Sequence, residues 1–145
     1  MEIEYMSLII DANCAHCVSL KNEHGAPILD YIFKGKIRLV TGGKHKREIL
    51  LTKLGNLLQE LLLSGSITEY SEENIVAKVA PLLSSLVSDD DHIVGLALES
   101  GARVLFTHDA MLEQDFTNEK VLGKPRGKIY KYKYHRHLLE SICVK

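Results

Sequence analysis

Two short strand-like runs with apolar centres constrain this chain most, and each ends in an aspartate: Ser7-Leu8-Ile9-Ile10-Asp11 and Arg103-Val104-Leu105-Phe106-Thr107-His108-Asp109. A strand without alternating polar residues has no face to offer water, so it belongs inside a sheet covered on both sides. In an open α/β sheet, ligand sites form outside the carboxyl ends of the strands, where these aspartates fall.

The rest of the chain supplies the covering layers. A helix is expected after Asp11, carrying Cys14, Cys17, Val18 and Leu20 toward Lys21, with Asn22 to Pro27 breaking it. Ile28 to Ile32 reads as a second helix and Lys36 to Thr41 as a second strand, which Gly42-Gly43 turns. From His45 to Leu63 the recurrence of Ile49, Leu50, Leu54, Leu57, Leu58, Leu61 and Leu62 predicts one continuous helix. Ile67 to Tyr70 reads as a brief strand, Ser71 as the start of a helix that Pro81 bends, and Asp89 to Ser100 as a helix stopped by Gly101. Ile129 to Tyr134 alternates like a strand, and His137 to Glu140 suggests a closing turn. Strands alternating with helices predict an α/β fold: one domain over residues 1–145, with a central, mainly parallel sheet flanked by helices on both faces.

Composition agrees with one ordinary globular unit. With 46% hydrophobic and 26% charged residues, neither disorder nor a membrane span is indicated. Met1 to Tyr5 lacks the basic and apolar regions of a secretory leader, and no run approaches the roughly 18 apolar residues of a spanning helix. No membrane partner and a cytoplasmic location are therefore expected. Cys14, Cys17 and Cys143 make an odd count, which argues for reduced thiols. Cys14-Ala15-His16-Cys17 contains half of a zinc site, but no second CxxC completes it, so helix-packing thiols are expected.

Four acidic positions remain: Asp11, Glu48, the run Asp89-Asp90-Asp91, and Asp109. Each has a plain structural reading, as helix cap, dipole partner, turn residue or solvated charge. Asp11 is delivered by an apolar strand, where a carboxylate needs a cation or donor. Within the triple run Asp90 is followed by Ile93, Val94 and Ala97 at i+3, i+4 and i+7, so it heads the inward face of its helix. Asp91 is the second candidate there. Three adjacent acids repel one another, which a cation explains better than capping does.

In order, spacing and total length the pattern resembles the PIN-domain nucleases. It is strongest over Asp90-x-x-Ile93-Val94-Gly95-Leu96-Ala97-Leu98-Glu99-Ser100-Gly101 and on to Asp109. The resemblance implies a parallel sheet flanked by helices, with Asp11, Glu48, Asp90 and Asp109 binding Mg²⁺ or Mn²⁺ to hydrolyse RNA. Asn13, Thr107 and Asp91 would support that site, and Glu113 or Asp115 could share Asp109's role. A homodimer and an inhibitory or regulatory protein partner, as for toxin-type members, also follow from the resemblance.

Carboxylates are hard ligands suited to those ions. Lys44, Lys46 and Arg47 near Glu48, with Lys128 and Lys131 near the carboxyl-terminal tyrosines, form the expected nucleic-acid contacts. Tyr130, Tyr132 and Tyr134 would share one strand face, either packed on the protein or open to unstacked bases. The competing function is a nuclease-like module that binds nucleic acid or protein without cutting. A phosphoacceptor receiver domain is disfavoured, because no adjacent acidic pair lies near the start.

Overall fold

A computed structural model describes residues 7–19 and 22–143. Leu20 and Lys21, the expected end of the first helix, lie outside the described residues, as does the Met1–Tyr5 segment. The elements run β1 (Ser7–Ile10), α1 (Ala15–Ser19), α2 (Ala26–Phe33), β2 (Arg38–Gly42), α3 (Gly43–Leu50), α4 (Gly55–Leu63) and β3 (Ile67–Tyr70). They continue with α5 (Glu72–Val79), α6 (Asp91–Ser100), β4 (Val104–Phe106), α7 (Ala110–Phe116), α8 (Glu119–Leu122), β5 (Lys128–Tyr130) and α9 (Arg136–Ser141).

The five strands form one parallel sheet in the order β3-β2-β1-β4-β5. The apolar runs become its centre, because only a strand covered on both faces can be apolar throughout. Leu8 and Ile10 point into one core with Leu39, Phe106 and Tyr130, beneath α1, α2, α4 and α9. Ile9 points the other way, into a second core with Val40, Leu105 and residues of α5 to α8. The molecule is thus a three-layer α/β domain. Strand order reverses direction between β1 and β4, which opens a crevice at their carboxyl ends.

Three elements differ from the pattern read in the sequence. The helix expected from His45 to Leu63 is two helices, with the chain turning at Leu51 to Leu54. Thr52 donates its hydroxyl to the Ile49 carbonyl there, and a Cβ at Gly55 would lie 2.7 Å from the Leu50 carbonyl oxygen. The leucine spacing survives the break because Leu58 and Leu61 of α4 face the same core as Ile49 of α3. The last strand stops at Tyr130, and Lys133–His135 form a 3-10 turn. The tyrosines consequently separate: Tyr130 is fully buried, while Tyr132 and Tyr134 are exposed. Finally, Asp90 is the residue before α6 rather than part of its first turn.

Candidate metal centre

Asp11 leaves β1 with its N–H bonded to the Phe106 carbonyl at 3.0 Å, which holds it beside the end of β4. Its side chain is buried. Thr107, also buried, donates its hydroxyl to Asp11 Oδ2 at 2.7 Å and accepts the Asp109 N–H at 3.1 Å. One hydroxyl therefore sets both the rotamer of the first acid and the backbone of the last. Asn13 supports Asp11 through its backbone N–H, 3.3 Å from Oδ1, while its side chain is exposed. Asp109 caps α7, accepting the N–H groups of Met111 and Leu112 on Oδ1.

Glu48 reaches the cluster from α3. His92 donates Nε2–H to Glu48 Oε1 at 2.6 Å, since a carboxylate can only accept from it. The other ring nitrogen of His92 is buried without a hydrogen-bond partner among the described residues. The path of α3 is fixed below by His45, which is buried and neutral because burial pushes its pKa down to about 4. Its tautomer follows from its partners: Nε2–H donates to the Ile10 carbonyl at 2.7 Å, so Nδ1 accepts the Thr41 hydroxyl at 2.8 Å. β2 can run straight into α3 because Gly43 adopts φ +52° and a Cβ at Gly42 would collide with the Tyr70 carbonyl.

Asp90 is the least compensated of the four. It occupies the cap position of α6, yet its carboxylate makes no capping bond and has no hydrogen-bond partner among the described residues. Its pKa is raised to about 6, by burial first and then by the charges of Asp11, Asp109 and Glu48, with His92 opposing them. Four acids from four segments thus share one electrostatic neighbourhood. Asp91, the first residue of α6, is half-buried beside it.

Two acids adjacent in sequence to Asp109 do other work. Asp115 is buried, with both oxygens taken by the N–H groups of Val87 and Ser88 at 3.0 and 2.9 Å. Ser88 in turn accepts the Asp90 N–H on its hydroxyl at 3.3 Å, so Asp115 anchors the loop that presents Asp90. Glu113 pairs with Lys131 at 2.7 Å.

The anticipated basic contacts are dispersed. Lys46 pairs with Glu69 and Arg47 with Glu72, whereas Lys44 is exposed without an ion pair among the described residues. Lys128 opens β5 and therefore lies at the amino end of the sheet, opposite the acids. The thiol of Cys14, near the site, is pushed up to about 12 by burial and by the Asp11 and Cys17 charges, so it stays protonated at neutral pH.

The sequence pointed to His92 and His45 only as possible proton-transfer or phosphate contacts; that His92 holds Glu48, that His45 lies beneath α3 and that Asp115 anchors a loop were not read from it. Each lies on an apolar helical face, with Ile49 four residues after His45, Leu96 four after His92, and Leu112 and Phe116 around Asp115. A polar residue in such a face is the available signal.

Among the described residues, no three His, Cys, Asp or Glu side chains stand close enough to enclose an ion. The donor chemistry nevertheless fits a hard divalent cation: four carboxylates, one of them half-buried, without hydrogen-bond partners among the described residues, and raised in pKa by burial and by the other three. Comparison with protein-family models, curated proteins and solved structures matches the chain to none of them.

Proposed function

We propose that the protein is a metal-dependent endoribonuclease whose acidic crevice holds Mg²⁺ or Mn²⁺ on Asp11, Asp90, Asp109 and Glu48. The observation that carries this reading is the uncompensated carboxylate of Asp90, which feels three other acids at the switch point of a parallel sheet. A divalent cation bound there supplies charge neutralisation at phosphoryl oxygens and a water of lowered pKa. The chain's own part is to hold the acids in register. Thr107 orients Asp11, His92 orients Glu48, and the Asp115-Ser88 anchor presents Asp90. Lys46 and Arg47 are in solvent-accessible ion pairs that water and salt screen, so phosphate can displace their partners at little cost.

The test is cleavage of labelled single-stranded RNA in Mn²⁺ and in Mg²⁺. Asp90→Asn should reduce the rate by more than about 100-fold, because even the partners behind metal ligands are worth about 10–100-fold. Cleavage unchanged in that variant overturns the site. No cleavage by the wild type in either metal overturns the enzyme, and favours a nuclease-like binding module.

A further inference from the structure

Beside the acids, at the end of β5, stands an aromatic feature that the metal centre does not use. The β4–β5 register pairs Phe106 with Tyr130, and two residues further on His108 faces Tyr132 with ring centroids 5.9 Å apart and planes tilted 32°. His108 immediately precedes Asp109. Tyr132 is 44% exposed although it lies against rings of His24, His108 and His135.

The backbone carrying Tyr132 is pinned by those same three histidines, His24 and His108 from distant parts of the chain and His135 from the turn that follows. His108 donates Nε2–H to the Lys131 carbonyl at 2.9 Å. His135 Nδ1 accepts the N–H groups of Lys131 and Tyr132 at 3.0 and 3.3 Å, and His24 Nδ1 accepts that of Lys133 at 3.1 Å. An exposed ring on so firmly held a segment loses little freedom when something stacks on it, which is the requirement for a preorganised binding surface. The neighbouring cations Lys131 and Lys133 are paired with Glu113 and Glu23. Those pairs are solvent-accessible and leave the cations able to meet phosphate, whereas the fixed, exposed face of Tyr132 is the feature that selects an aromatic ligand.

We propose that Tyr132 is a stacking platform for an unpaired nucleobase of a single-stranded RNA, seated next to the acids. The proposal rests on the nuclease reading for its ligand class and adds the strand state of the substrate. Duplex RNA keeps its bases stacked inside the helix and offers this ring nothing, whereas every unpaired base presents a face to it.

The experiment is equilibrium binding of a fluorescein-labelled single-stranded RNA dodecamer, and of the same sequence as a duplex, in EDTA, where cleavage plays no part. Tyr132→Ala should bind the single strand roughly 5- to 150-fold more weakly, the range for loss of one base–aromatic stack. Tyr132→Phe should stay within about twofold of wild type, and duplex binding should not change in either variant. The chain has no tryptophan, so Tyr132→Trp introduces a single reporter, whose fluorescence bound RNA should quench. Thermal melts of all three variants confirm folding. Wild-type affinity in Tyr132→Ala, or an unquenched Tyr132→Trp that binds RNA, overturns the platform. Stacking at Tyr132 without cleavage in any metal would leave the platform standing and remove the nuclease; Asp90-dependent cleavage indifferent to Tyr132 would do the reverse.

Discussion

Asp115 shows how much one buried carboxylate can determine. Both its oxygens accept backbone N–H groups of the loop before Asp90, so Asp115→Ala leaves two donors unsatisfied. The expected loss is about 2–4 kcal/mol of stability in urea unfolding. Asp90 behaves in the opposite sense. Its folded-state pKa, about 6, lies above the ordinary 3.8, so its contribution is present below pH 3.8 and is lost as pH rises through 6. Asp90→Asn should therefore melt higher than wild type at pH 7 in EDTA, with the difference fading below pH 4. Addition of Mn²⁺ should raise the melting temperature of wild type more than that of the variant. The placement of Asp90 was legible in the sequence because Ile93, Val94 and Ala97 mark an inward face, and all three are buried. The role of Asp115 was not, because a count of nearby acids does not show which carboxylate faces its own backbone.

Among the elements, the connection from β2 into α3 carries Glu48 to the crevice. Gly42→Ala would push a Cβ into the Tyr70 carbonyl at the β2–β3 pairing. It should cost about 1–3 kcal/mol in chemical denaturation, since backbone on a paired strand yields less than a flexible side chain. The sequence marked Gly42-Gly43 as a turn, but the break between α3 and α4 stayed hidden. Periodicity reports which residues face the core, and two helices facing one core in phase leave the same record as one long helix. The strand at Tyr130 was overextended for a related reason. Alternating Lys and Tyr satisfies a strand pattern, but His24 and His108 from other segments, with His135 of the following turn, claim the backbone after Tyr130.

For the molecule as a whole, two buried groups pull stability in opposite directions over one pH window. His45, with its pKa lowered from 6.5 to about 4, contributes fully above pH 6.5 and loses that contribution as pH falls toward 4, about 3 kcal/mol for a fully buried group. Asp90 opposes it between 3.8 and 6, but solvent screens its half-buried carboxylate, so His45 prevails. The melting temperature of wild type should rise from pH 4 to 6.5, and that of Asp90→Asn should rise more steeply; parallel curves would contradict this balance. The fold class was readable because apolar strands, helical faces and a parallel topology together determine which chain ends meet; that topology puts the charges of Asp11, Asp109 and Glu48 within reach of Asp90, though among the described residues no three acids stand close enough to enclose an ion. The basic residues were not readable, since proximity in sequence to Glu48 says nothing about Glu69 and Glu72 across the sheet edge.

The hydrogen bond from Thr107 to Asp11 joins residues 96 positions apart, and Glu48 and Asp90 enter from segments between them. No contiguous fragment much shorter than this span contains the cluster. During synthesis, a chain leaving the ribosome carries scattered acids and no crevice until β4 and Asp109 have cleared the exit tunnel. Translation thus delivers the acids apart, and only the finished fold brings their charges within reach of one another.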